Sequence, residues 1–294
     1  MGYLFLSIAL FFGMTKGYCG KKLGGYAVNT KSAVLLNLIR MLLCVGFGIA
    51  VILVNGELAS CVPTPGVLLV SAMSGVCTSF FVASWLLAVR KSAYMMLDVF
   101  LMVGTIIPMT AGSVFFEEAI RPRQWIGFAV LVAAALIMCS YHNSVKSKLS
   151  PASFALLILC GTLNGLADFS QKLYVKAFPQ LPVSIFNFYT YVFAAATLAV
   201  VLLLQRNDKT GFDHRSTRSS VLLVVIMAVA LMANSYFKTM AAHHLDSAQL
   251  YPLNQGLGLV LSSLMATFLF KERFTYKAFV GIVLAFVALM IMNL

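Results

Sequence analysis

Ten apolar stretches, each long enough to cross a lipid bilayer, leave this chain almost no other way to fold. They lie at about 2–20, 32–54, 66–89, 92–115, 122–141, 151–172, 183–205, 219–242, 246–270 and 274–293. A spanning helix needs roughly 17–25 such residues. Inside hydrocarbon the backbone must satisfy its own hydrogen bonds, so each stretch has to be a helix. Composition supports this reading. Of 294 residues, 61% are hydrophobic and 10% charged, against about 25% charged in an ordinary soluble domain. The breaks carry glycine, proline or charge: Lys21-Lys22, Asn55-Gly56, Pro63-Thr64-Pro65, Arg90-Lys91, Arg121-Pro122, Ser150-Pro151, Pro179 and Pro182. The longest polar stretch, Arg206 to Ser220, is too short to hold a folded domain. The predicted fold is an all-α integral membrane protein of about ten transmembrane helices. Residues 3–19 are apolar, with no preceding basic segment and no A-x-A site after them, so they read as a first retained span rather than a signal peptide.

The net charge of +12 sits mostly in short loops. It therefore speaks for anionic headgroups and topology, and not for nucleic acid. The six cysteines form no C-x-x-C pair and mostly lie in apolar runs, as small packing residues. The four histidines show no metal-ligand spacing, and His243 and His244 point roughly 100° apart on a helix. No metal, cofactor or catalytic residue is expected.

The chain repeats itself weakly. Gly20-Lys21-Lys22-Leu23 resembles Ser170-Gln171-Lys172-Leu173, and Leu36-Asn37-Leu38 resembles Phe186-Asn187-Phe188, both at an offset of 150. Phe116-Glu117-Glu118 with Gly127 resembles Lys271-Glu272 with Gly281, at an offset of 154. This predicts two five-helix repeats, residues 1–145 and 146–294. Two sequential halves with an odd number of spans enter the membrane in opposite orientations. That inverted design is common among secondary transporters.

Certain letters point to a family. Glu118 followed by Gln124, Trp125, Ile126 and Gly127 is similar to the E-R-x5-Q-x-x-G end of an EamA repeat. The basic residue after the glutamate is replaced by Ala119 in the first copy and present as Arg273 after Glu272 in the second. Tyr251-Pro252 and Ser262-Ser263 resemble the matching helix of that family. Along nearly its full length the chain resembles the ten-helix EamA-type transporters of the drug/metabolite transporter superfamily. The resemblance implies a secondary transporter, often an exporter, and names no substrate. It also implies cytoplasmic termini.

Loop charges say otherwise. Lys21, Lys22, Lys31, Arg90, Lys91, Lys146, Lys148, Arg206, Lys209, Arg215, Arg218, Lys271, Arg273 and Lys277 fall in or beside odd-numbered loops. The even-numbered loops and their borders hold Arg121, Arg123, Lys172 and Lys176. The positive-inside rule then places a multi-pass protein of the cell membrane with both termini outside.

Polar residues inside the spans are the candidate site, because a charge at the bilayer centre costs roughly 2.5–3.5 kcal/mol on insertion scales. Asn164, Asp168, Gln171 and Lys172 share one face of the sixth span. Asp168 and Lys172 are spaced for an internal i,i+4 pair. Tyr94 and Asp98 lie in the fourth span, with Arg90 and Lys91 as alternative partners for Asp98. Asn234 and Lys238 lie in the eighth, where Lys238 could meet Asp98, Asp168 or a substrate carboxylate. Tyr251, Asn254 and Gln255 surround Pro252 in the ninth. Asn37 and Asn187 hold matching places in the two halves, and Arg40 lies a turn beyond Asn37 with no sequence explanation. Lys16 sits between Gly13 and Gly20, where it could reach a central cavity or snorkel. Gly13-x-x-x-Gly17 and Gly161-x-x-x-Gly165 read as close-packing pairs. Glu118 and Glu272 read as interfacial partners of Arg121, Arg123, Arg273 and Lys277.

The expected function is alternating-access transport of a small polar metabolite, amino-acid-like or an amine, with Asp98 or Asp168 as proton-coupling candidates. The expected partners are that substrate, the bilayer and protons, with monomer and homodimer both open. Export of lipophilic drug cations is the alternative. An intramembrane enzyme or a structural subunit or channel is more remote, for want of a catalytic motif and because charged groups occur on four spans. No G-x-x-x-x-G-K-[ST] motif occurs, so this chain does not hydrolyse ATP.

Overall fold

The computed structural model describes residues 1–24, 30–91, 94–140, 151–205, 218–269 and 276–293. Among them are eleven α-helices and one 3₁₀ turn, with no strand. The helices are α1 (Gly2–Gly24), α2 (Thr30–Val54), α3 (Pro65–Lys91), α4 (Tyr94–Gly104), α5 (Ile106–Phe116) and α6 (Pro122–Ser140). They continue with α7 (Pro151–Ala177), α8 (Val183–Leu204), α9 (Arg218–Ala242), α10 (Ser247–Phe268) and α11 (Tyr276–Asn293). The 3₁₀ turn is Glu57–Ser60.

Ten of the predicted stretches account for eleven helices because the fourth is broken. Pro108 has no N–H to offer the carbonyl of Gly104 and its ring crowds that carbonyl. The chain tightens there: the Thr105 N–H and hydroxyl both donate to the Met102 carbonyl, at 3.0 and 2.7 Å. α4 and α5 therefore form one interrupted span. Five helices (α2, α3, α7, α8 and α9) are each long and apolar enough by themselves to cross a membrane.

Small residues set the closest crossing. A Cβ on Gly161 would lie 2.2 Å from the Phe100 carbonyl oxygen, and one on Gly165 would lie 2.2 Å from that of Gly104. Backbone of α7 thus rests on backbone of α4, as the predicted Gly161/Gly165 pair requires. Gly13 faces the Asn234 side chain instead, and Gly20 gives room to the Trp85 ring.

Packing partners follow a pattern of exchange between the two halves. α1 lies along α9 as α7 lies along α3, while α2 meets α8 and α6 meets α11. Local bonding repeats too: Asn37 Nδ2 donates to the Ala33 carbonyl at 2.8 Å, and Asn187 Nδ2 to the Val183 carbonyl at 3.0 Å. Large apolar side chains are left uncovered on the outer helix faces, such as Val200 and Leu203 on α8 and Phe286 and Met290 on α11. Lipid is the solvent that tolerates them.

At the end formed by the even-numbered loops, the bundle is sealed. Leu6, Tyr174, Leu245, Leu250 and Tyr251 form one buried apolar cluster. Glu118 reaches into this end from the α5–α6 turn, aimed by Glu117, which takes a left-handed φ of 56°. Its neighbour across the bundle is Lys172, with Nζ 2.8 Å from Glu118 Oε1. Lys172 also donates to the carbonyls of Ala242 and Leu245, at 3.1 and 2.7 Å. Glu118 Oε2 accepts the Ser247 N–H at 2.8 Å, at the start of α10.

This corrects two expectations. Lys172 does not pair with Asp168, because it lies inside α7 at 2% exposure and faces Glu118. Glu118 is buried against Lys172 and Lys176, not bound to Arg121 or Arg123 at the interface. Burial alone would raise the Glu118 carboxyl, but hydrogen bonds from Lys172 and Ser247 outweigh it and hold the group below the ordinary glutamate range. Glu272 and Arg273 lie outside the described residues, as do half of the basic odd-numbered loop residues.

Candidate functional site

The spacing of polar residues along eight helices brings them to one recess near the middle of the bundle. It has two adjoining lobes of about 100 Å³ and about 60 Å³. Lys16, Phe81, Trp85, Asn164, Asn234 and Lys238 border both lobes. The first extends to Asp98 on α4 and to Asn254, Gln255 and Ser262 on α10. The second extends to Arg40 on α2, Asp168 and Gln171 on α7, Thr190 on α8 and Ser235 on α9.

Asp168 is the hub. Its Oδ1 lies 2.5 Å from Lys238 Nζ, and both side chains are buried. Its Oδ2 accepts from Asn164 Nδ2 at 3.4 Å, one turn earlier on α7. Its backbone carbonyl accepts from the Tyr251 hydroxyl at 2.7 Å. Tyr251 is fully buried behind this wall and does not border either lobe. The structure therefore chooses Asp168, of the partners the sequence left open, for Lys238. Among the described residues Asp98 pairs with neither Lys16 nor Lys238, and the side chains of Arg90 and Lys91 lie outside them; its Oδ2 accepts from the Ser262 hydroxyl on α10 at 2.5 Å.

The uncharged groups form relays between helices. Gln171 Nε2 donates to Ser235 Oγ at 3.2 Å, and Ser235 donates on to Asn187 Oδ1 at 2.6 Å. Asn187 thus supports the second lobe without bordering it. Asn234 Nδ2 donates to the Ala9 carbonyl at 2.6 Å and ties α9 to α1. The Asn254 Oδ1 and Gln171 Oε1 acceptors are buried with no partner among the described residues. Tyr94 opens α4, but its side chain lies outside the described residues.

Of the two readings left open for Lys16 the geometry takes the cavity, and it adds residues that the sequence did not assign to a site: Arg40, Ser262, Ser235, Thr190, Phe81 and Trp85. For Ser262 a signal existed. Gln255, Gly258, Ser262 and Met265 recur at three- and four-residue steps, which is one helical face. Nothing local in the sequence marks Trp85 or Phe81 among so many apolar neighbours. Chemically, the recess offers cations, carboxylates, amides and hydroxyls beside an aromatic wall, in a site otherwise surrounded by apolar packing. Among the described residues no group of histidine, cysteine or carboxylate side chains is arranged to hold a metal ion.

Comparison with known proteins points one way. Residues 149–294 match the EamA-like transporter family. The CMP-sialic acid transporter 4 of Arabidopsis thaliana is 24% identical over 173 residues, covering 57% of this chain and 47% of that protein. The match thus spans about half the length of that curated relative. A solved crystal structure superposes with a TM-score of 0.73 at 14% identity, covering 97% of this chain and 96% of the other, which speaks for the fold alone.

Proposed function

Since the chain belongs to the EamA-like transporters of the drug/metabolite transporter superfamily, we propose that it is a secondary-active carrier of a small polar metabolite that binds in the two-lobed recess. The observation that carries this reading is the convergence of Lys16, Asp98, Asn164, Asp168, Asn234, Lys238, Asn254 and Gln255 from five helices on one site. A permanent set of buried charges is costly in a membrane protein, and a polar cargo is what makes it useful. The lobes are small beside the roughly 300–1,000 Å³ typical of drug-sized pockets. Size and polarity both weigh against lipophilic drug cations. The nucleotide sugar in the name of the plant relative is a member of the panel to be tested.

Alternating access follows from two halves, residues 1–145 and 146–294, rocking about the recess. The even-loop end is the closed gate, held by the Glu118–Lys172 pair and the Tyr174–Tyr251 cluster. Proton coupling runs through Asp168 or Asp98. A proton on Asp168 removes the charge that holds Lys238, and so links the protonation state to the shape of the recess. A proton on Asp98 would act at the Ser262 contact with α10.

With purified protein in liposomes, the expected result is counterflow: unlabelled substrate inside drives uptake of labelled substrate. Flux that never saturates would point to a channel, and no flux with any polar metabolite would remove the reading. Asp168→Asn should abolish proton-driven uptake; unchanged pH dependence would clear Asp168 and leave Asp98. Orientation is tested separately. With Lys172 buried within α7, the charge asymmetry of the loops is larger than the sequence suggested. A C-terminal reporter active only in the cytoplasm should therefore stay silent. Strong activity would reverse the assignment.

A further inference from the structure

Arg40 is the charge that neither the fold nor the pairs described above explain. It lies mid-helix in α2, is 2% exposed, and borders the second lobe. Among the described residues its one hydrogen-bonding contact is from Nη1 to the Met227 sulfur, at 3.2 Å. A thioether is a weak acceptor and carries no charge to answer a guanidinium. Nε and Nη2 have no hydrogen-bond partner among the described residues. Cys44 and Tyr191 beside it donate to the carbonyls of Ala228 and Leu231 and carry no charge to answer the guanidinium. The Asp168 carboxylate borders the same lobe but is held by Lys238 and Asn164.

The two open donors are informative because of which two they are. Nε–H and the inner Nη2–H lie side by side on one edge of the planar guanidinium. Their parallel bonds match the two oxygens of a carboxylate, or two oxygens of a phosphate. The contact to Met227 uses the remaining terminal nitrogen, so that edge is the one left unanswered. Charge agrees with shape. The recess gathers Lys16, Arg40 and Lys238 against Asp98 and Asp168, and among the described residues neither Lys16 nor Arg40 has an ion-pair partner. A bound anion would offset the excess positive charge in a place where an unpaired charge is costly. The free Thr190 hydroxyl borders the same lobe as a further donor.

We propose that Arg40 docks an oxyanion of the cargo, a carboxylate or a phosphate, on its Nε–Nη2 edge. This rests on the carrier reading and narrows its substrate class from polar to anion-bearing.

The test uses the full chain in lipid nanodiscs and reads thermal unfolding with paired compounds that differ in the anionic group. The pairs are alanine with alaninamide and cytidine monophosphate with cytidine; inorganic phosphate is added alone. The expected result is stabilisation by anionic members only, with the carboxylate and phosphate arms identifying which oxyanion is taken. Arg40→Gln should weaken the effective anion about a hundredfold, as expected for two charge-assisted hydrogen bonds. Without ligand it should melt no lower than the wild type, since it removes an unpaired buried charge; a purely structural arginine would show the opposite. Arg40→Lys keeps the charge but lacks the paired donors, and should weaken binding about tenfold; it carries the test if Arg40→Gln does not fold. Undiminished anion affinity in the arginine variants, or a wild type that responds to no anionic member, overturns the proposal. Counterflow separates it from the carrier reading. An anion that binds through Arg40 yet never exchanges refutes the carrier alone, whereas exchange indifferent to Arg40 refutes the docking role alone.

Discussion

The Asp168–Lys238 pair offers a sharp separation of stability from function. Its charges are 2.5 Å apart, with side-chain exposures of 1% and 10%. Replacing either one leaves the other buried and uncompensated, which typically costs about 3–5 kcal/mol. Asp168→Asn should be the milder single change, since the amide can still accept from Lys238 and Asn164 remains beside it. Lys238→Met strands the carboxylate and should fall near the upper end. Replacing both removes the attraction and the desolvation cost together, so Asp168→Asn with Lys238→Met should return to within about 1 kcal/mol of the wild type. The coupling from the double-mutant cycle is then about 3 kcal/mol or more. Unfolding in mixed micelles, titrated with a denaturing detergent, measures all four proteins. Transport should stay lost in the double variant although stability returns. Additive losses, or a double variant less stable than either single one, would refute a direct buried pair and with it the picture of Asp168 as hub.

Other outcomes follow from the geometry around the recess. Glu118 is held below the ordinary glutamate range, so its contribution is fully present above a pH of about 4.3 and is lost as the pH falls through its folded value. Glu118→Gln should therefore flatten the acid limb of thermal stability; an unchanged limb would show that Lys172 does not depend on it. Gly161→Val forces side-chain atoms onto the Phe100 carbonyl and should destabilise by about 1–3 kcal/mol or prevent assembly, measured by the same detergent titration. At Glu117 the left-handed φ of 56° favours glycine, so Glu117→Gly should stabilise by about 1 kcal/mol, provided the melting point is compared at neutral pH.

How much could be read from the letters is clearest on α7. Asn164, Asp168, Gln171 and Lys172 do share a face, as the helical period requires. The first three border the recess, and the fourth does not. Four residues advance a helix by about 6 Å along its axis. That step carries Lys172 past the recess to the level of the α5–α6 turn, where Glu118 waits. Periodicity encodes direction around the axis but not which neighbouring helix stands opposite at each height. The same gap explains Arg40, which was visible as an anomaly but had no assignable partner. It also explains Tyr251, a polar residue near a proline that faces the Asp168 backbone from behind the cavity wall. The α4–α5 break was legible in Pro108 but is energetic in origin, and hydropathy alone runs through it.

The ten spans were determined by the sequence itself, because crossing hydrocarbon is a local demand that each apolar stretch meets with its own backbone hydrogen bonds. The tertiary structure alone decided how the intramembrane charges are matched. Asp168 holds Lys238, Glu118 holds Lys172, and Arg40, beside the recess, is left with two buried donors unanswered among the described residues. Those choices depend on distances of a few ångströms between helices far apart in the chain. In a low-dielectric interior such distances determine which charges are paired and which are left for a ligand.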